Sequence, residues 1–191
     1  MKIRSFLAFD INDQMRKELS LLIELMRSKA KGIKWVDPSL MHCTVKFFGD
    51  VEEELLMGRL SDMILEEVSP FKPLKFKGVG VGVFPNFRYP KVIWAGLAGD
   101  SERAIEMHDK LEALFEEISI KKDKRAFRLH LTIGRMKGSL KGKESLVSFI
   151  EKQGIKEFGE VVVDKLTLYK SELTPTGSIY TALNQFPLKG L

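Results

Sequence analysis

"MHCTVKFFG", residues 41–49, places a histidine and a threonine two positions apart in a run that favours extended backbone. In a strand, successive side chains point to opposite faces, so His42 and Thr44 share one side while Met41, Cys43 and Val45 share the other. One side suits a core, and the other carries an imidazole and a hydroxyl. The same arrangement returns in "RLHLTIGRM", residues 128–136, where Arg128, His130 and Thr132 fall on one face and Leu129, Leu131 and Ile133 on its apolar opposite. The two histidines stand 88 positions apart, too far for a solenoid period, so the chain reads as two similar halves.

Outward from these segments the elements follow by periodicity. Residues 3–11 alternate as a strand with Ile3, Leu7, Phe9 and Ile11 on one side, and Asn12 can cap a helix whose stripe is Met15, Leu19, Leu22, Ile23 and Met26, ending near Gly32. "GIKWV" is a short strand, Asp37 and Pro38 a turn, residues 40–48 the first His-Thr strand, and Glu52 to Val68 an amphipathic helix. "PLKFKGVGVGVF" and "KVIWAGL" form a hairpin about "PNFRYP", and Ser101 opens a helix with Ala104, Met107, Leu111, Leu114, Phe115 and Ile118 on its apolar stripe. "KKDKR" leads into the second His-Thr strand, residues 143–153 are helical, "EVVVDKLTLYKSEL" reads as one long strand, and "TPTG" turns into a closing strand, "SIYTALNQF". Strand pairs on short turns between amphipathic helices give an α+β fold, and with no linker in sight residues 1–191 form a single unit.

At 191 residues the chain can build a substantial core, and 44% hydrophobic with 30% charged residues fits a folded, water-soluble class. The charge of +5 and a pI near 9.2 allow a polyanionic partner. Cys43 is the only cysteine, which excludes an intramolecular disulfide and a zinc site of several thiolates, and makes a reducing cytoplasm the default compartment. "MKIRSFLAFDIND" fits neither a signal peptide nor a spanning helix, so no membrane partner is expected. No HExxH or paired-cysteine motif is present, and "GVGVGVF" lacks the spacing of a phosphate-binding loop, so neither metal nor cofactor is expected. His108 falls beside Met107 on its helix stripe and reads as a packing residue, while Cys43, turned from the His42 face, reads as a buried, inert thiol.

Two imidazoles with pKa values near 6.5 can divide acid–base work. The neutral one takes a proton from water while the protonated one gives a proton to a leaving oxygen. Charge developing on the non-bridging oxygens of a phosphodiester can be met by Thr44, Thr132, Arg128 and Arg135. Such hydrolysis needs no metal and no covalent intermediate.

Those residues resemble the 2H phosphoesterase superfamily, whose two His-x-Thr-x motifs correspond to His42-Cys43-Thr44-Val45 and His130-Leu131-Thr132-Ile133. Within it the chain looks like the RNA 2′,3′-cyclic phosphodiesterases, formerly called 2′-5′ RNA ligases, along nearly its whole length. The likeness runs through "RSFLAFDI", "KWVDPSLMHCTVKFFGDV", "VGVFPNFRYPKVIWAGL", "FRLHLTIGR" and "LYKSELTPTGSIYTALNQFPL". The resemblance implies a bilobal fold of two antiparallel-rich sheets with helices on their outer faces, related by a pseudo-twofold axis, with a basic active-site cleft between the lobes. It implies a cofactor-free, monomeric enzyme that opens the 2′,3′-cyclic phosphate at an RNA end, tRNA halves among the candidates, to a 2′-phosphate. By that analogy His42 is the proton donor, His130 the proton acceptor, Thr44 and Thr132 hold phosphate oxygens, and Arg128, Arg135 and Lys46 bind substrate. Leu129 and Cys43 depart from the usual Pro and Leu, and both are expected on the core side. The competing readings are ATP-independent joining of tRNA halves through a 2′-5′ linkage, and a non-catalytic RNA-end binder.

Overall fold

β1 (Lys2–Asp10) and α1 (Asp13–Arg27) open the chain, joined at the predicted cap. The Asn12 side chain accepts the Met15 N–H at 2.9 Å, satisfying one of the donors that a helix start leaves unpaired. The five stripe residues of α1 are all buried. The helix stops at Arg27, earlier than the apolar spacing suggested, because β2 (Lys31–Trp35) already begins before Gly32, whose φ of 90° no helix accepts. The computed structural model describes every residue except Lys124, Ile155, Thr176 and Leu191.

β3 (His42–Glu52) follows a 3-10 turn at Pro38–Leu40. The single helix expected from Glu52 to Val68 is instead α2 (Glu53–Leu55) and α3 (Ser61–Val68), separated by a wide turn over Leu56–Leu60. Gly58 makes the kink, with φ −97° and ψ −111°, a conformation cheap only without a Cβ. The hairpin of β4 (Leu74–Phe84) and β5 (Val92–Gly99) leads to α4 (Ser101–Glu117), β6 (His130–Lys141) and α5 (Lys143–Gln153). "EVVVDKLTLYKSEL" divides at Asp164 into β7 (Glu157–Val163) and β8 (Lys165–Leu173), which lie in different sheets. No glycine or proline marks that break; only the charged Asp164 and Lys165 interrupt the apolar run there. β8 turns into β9 (Ser178–Pro187); of the expected "TPTG" turn, Thr176 lies outside the described residues, while Thr174 and Gly177 bond each other's main chain.

Two antiparallel sheets result, ordered β3-β1-β8-β9 and β2-β6-β5-β4-β7, giving the expected two-lobed α+β architecture. The halves repeat one unit. In β1-α1-β3 and again in β5-α4-β6 a helix follows a strand, and the returning strand pairs antiparallel with the first and opens on the motif histidine. β2 crosses over from the first half to pair with β6, tying the lobes together.

Both motif strands carry a β-bulge at the same place. Ala8 faces Thr44 and Leu7 faces Lys46, leaving Val45 without a partner; Trp94 faces Thr132 and Ile93 faces Gly134, leaving Ile133 without one. An inserted residue advances the side-chain alternation by one, so everything beyond it changes face. Val45 and Lys46 are therefore both buried, as are Ile133 and Gly134, and the cleft face resumes at Phe47 and at Arg135.

Candidate active site

His42 and His130 are held by the same device. The Nδ1–H of His42 donates to the Leu40 carbonyl at 2.8 Å, and that of His130 to the Arg128 carbonyl at 2.7 Å. A carbonyl oxygen only accepts, so both rings take the Nδ1–H tautomer and keep Nε2 for chemistry. Arg16 of α1 fixes the approach to β3 by donating to the carbonyls of Pro38 at 3.0 Å and Ser39 at 2.9 Å. The His42 ring stacks on Phe6 at 4.7 Å and meets the edge of Tyr180 at 5.4 Å. The His130 ring stands edge-on to Phe84 at 5.1 Å, and Phe84 stacks on Trp94 at 5.2 Å.

Between the lobes lies a cleft of about 880 Å³ whose walls include Thr44 and Phe47 of β3 and His130, Thr132 and Arg135 of β6. Arg125, Phe127 and Arg128, from the segment entering β6, complete its rim, and Lys91 adds a further cation against the single carboxylate of Asp123. The Arg128 guanidinium lies 5.5 Å over the Phe84 ring. The two motifs also touch through the main chain, where the His130 N–H points at the Cys43 sulfur. Burial nevertheless pushes that thiol up to about 12, which leaves it protonated and inert, as its core-facing position predicts.

Both imidazoles are pushed below the usual histidine range, mainly by burial, which disfavours the charged ring. Arg135 lowers both, so its charge is felt at each ring; Arg128 adds to the effect at His130 and Arg16 at His42. Only His42 has an opposing carboxylate, Asp10, its Cα partner across the β1–β3 ladder. Asp10 is itself anchored, accepting from Thr167 Oγ1 at 2.7 Å and from the Tyr169 hydroxyl at 2.6 Å. Burial and Asp10 hold that phenol well above its usual range, so it stays a donor.

Thr44, His130, Thr132, Arg128 and Arg135 thus line one cavity, whereas His42 is not among its lining residues and its ring packs among Phe6, Tyr169 and Tyr180. Lys46, expected to bind substrate, does not reach the cleft. Its side chain is 1% exposed, forms an ion pair with Glu112 of α4, and donates to the Lys121 carbonyl at 2.9 Å. The bulge at Val45 turned it inward, away from any substrate. His108 is buried, as its stripe position implies, yet it also lines the cleft, stacked flat under Phe127 at 4.3 Å. Sequence reading missed Phe47, Phe84, Arg125 and Phe127 as wall residues, and missed Asp10 as the group facing His42. Asp10 alone left a trace, as an acidic residue ending an otherwise apolar strand beside the motif's polar face. Among the described residues no three His, Cys, Asp or Glu side chains gather as a metal-binding group. Nor is any described helix long and apolar enough to cross a membrane.

A two-lobed antiparallel fold that turns hydroxyls, guanidinium groups and imidazole onto one cationic cleft defines a phosphoesterase. The LigT-like phosphoesterase profile matches residues 9–94 and 98–180, and the chain belongs to that family. It is 34% identical to an RNA 2′,3′-cyclic phosphodiesterase of Methanothermobacter thermautotrophicus, the match covering 98% of this chain and 100% of the relative. Identity to the enzyme of the same name from Methanocaldococcus jannaschii is 36%, over 96% of this chain and all of the relative. The crystal structure of a Thermus thermophilus protein superposes with a TM-score of 0.79 at 26% identity, covering 98% of both chains. Ligand-free Escherichia coli LigT shares the fold with a TM-score of 0.74 at 20% identity, again over 98% of both.

Proposed function

We propose that the chain hydrolyses the 2′,3′-cyclic phosphate at an RNA end to a 2′-phosphomonoester, by acid–base catalysis between His130 and His42 and without a cofactor. The observation that carries this reading is a paired hydrogen bond: two histidines from equivalent strands, each with Nδ1 on a carbonyl two residues back and with no partner for Nε2 among the described residues. Nε2 of His130 takes the proton from the attacking water as the new P–O bond forms. Nε2–H of His42 gives a proton to the departing 3′ oxygen. Thr44, Thr132 and the guanidinium groups of Arg128 and Arg135 meet the charge on the non-bridging oxygens.

The division of roles follows from the surroundings of the rings. Asp10 favours the imidazolium at His42, whereas the charges that act on His130 are the cations Arg135 and Arg128, which with burial bias it to the neutral base. The relatives named RNA 2′,3′-cyclic phosphodiesterase support the substrate class. The test is product analysis on an oligoribonucleotide ending in a 2′,3′-cyclic phosphate, with and without EDTA. A 2′-phosphate end under both conditions is expected; a 3′-phosphate end, a ligated product alone, or no turnover overturns the reading.

A further inference from the structure

A second groove of about 400 Å³ adjoins the cleft, and the two share Phe47, Asp123 and Arg125. Its remaining walls are Phe48, Ile120, Lys121 and Lys122. Phe47 stands at the junction 45% exposed, an unusual position for a large apolar ring, and is braced by Phe6 at 5.7 Å and by the Arg4 guanidinium at 5.0 Å.

The basic wall of this groove is fastened from inside. Lys46 Nζ holds the Lys121 carbonyl at 2.9 Å, and Glu112 Oε2 accepts the Asp123 N–H at 2.9 Å, the two side chains forming a buried ion pair between β3 and α4. With the main chain pinned at 121 and 123, the side chains of Lys121, Lys122 and Arg125 stand exposed. Lys122 leans on Glu116 at 3.6 Å, whereas Lys121 and Arg125 have no ion-pair partner among the described residues. A buried pair contributes little net stability over an apolar packing of the same volume, so fixing this segment's path is what it adds.

An RNA end that enters the cleft with its cyclic phosphate must lead its preceding nucleotides out again. Exposed cations along a groove whose walls also carry aromatic rings are what an unpaired nucleic-acid strand requires, since cations track the phosphates and rings receive the bases. We propose that this groove is a binding track for the nucleotides on the 5′ side of the cyclic end, so that the preferred substrate is single-stranded RNA several nucleotides long. The inference rests on the phosphodiesterase reading above and adds the site that selects substrate length.

The experiment compares kcat/KM on a nucleoside 2′,3′-cyclic monophosphate with that on di-, tri- and tetranucleotides bearing the same end, for the parent and for Lys121→Gln/Lys122→Gln. The parent is expected to gain at least about tenfold from one nucleotide to three. Its affinity for the longer ends should fall more steeply with salt, by a log–log slope of about 0.7 per extra phosphate contact. The double variant should lose that gain and keep mononucleotide turnover. Equal kcat/KM at every length, or a double variant that depresses the mononucleotide as much as the trinucleotide, overturns the track while leaving the chemistry standing. Absence of turnover on every substrate overturns both.

Discussion

Lys46→Met separates a structural ammonium from a substrate-binding one. In the structure Lys46 and Glu112 are 1% and 2% exposed, and each also bonds the main chain of the segment entering β6. Methionine fills nearly the same volume, so little cavity is created. The loss comes from Glu112, left buried with no counter-charge, and removing one partner of such a pair costs about 3–5 kcal/mol. Against a total of about 5–15 kcal/mol for an ordinary domain, that is a large share. Lys46→Met/Glu112→Leu removes both charges and should be more stable than the single variant, retaining only the loss of the two main-chain hydrogen bonds at Lys121 and Asp123, about 0.5–1.5 kcal/mol each. Urea unfolding followed by the fluorescence of Trp35 and Trp94 measures both differences by linear extrapolation. A Lys46→Met protein within about 1 kcal/mol of the parent that nonetheless lost kcat/KM on cyclic-phosphate RNA would return this ammonium to the substrate and refute the buried pair.

The other expectations concern the rings. His42→Ala and His130→Ala should each lower kcat about a hundredfold or more while circular dichroism stays that of the parent, and full activity in either would remove that ring from the chemistry. Because both imidazoles are held below 6.5, the alkaline limb of kcat/KM, which reports the free enzyme, should fall below that pH; a limb above 7 contradicts the burial argument. Asp10→Asn removes the one carboxylate favouring the His42 imidazolium, so the same limb should move to still lower pH while the acid limb stays; an unmoved alkaline limb would show that Asp10 does not set the acid. The depressed pKa values also bear on folding. Below about 6.5 the unfolded chain binds more protons than the folded one, so the stabilisation is full above that pH and is lost as pH falls through the folded values. Unfolding measured from pH 7.5 to 5 should show this decline, and His42→Gln/His130→Gln should flatten it.

What the sequence disclosed and what it hid meet in the two bulges. The helices were legible because α1 and α4 bury their stripes in one phase throughout, and the sheets because each strand keeps an apolar side. A bulge breaks that phase without changing the composition. On β6 it leaves a trace: after Leu131 and Ile133, strict alternation would carry Arg135 to the core side, where an unpaired guanidinium is prohibitive. Gly134 sits between them, its face closed by Ile33 and Trp35, where an added Cβ would lie 3.0 Å from the nearest side-chain atom. An arginine arriving where an apolar residue is due is therefore readable as a change of face. β3 gives no such warning. Lys46 falls on the same parity as His42 and Thr44, so unbroken alternation looks wholly consistent and assigns it to substrate. Its true position is stable only because Glu112 waits on α4, 66 residues further along, and nothing local to "CTVKFF" names that partner. A charge can be sent into a core by one inserted residue, provided the counter-charge comes from another part of the chain, and that non-local condition is what a single sequence conceals.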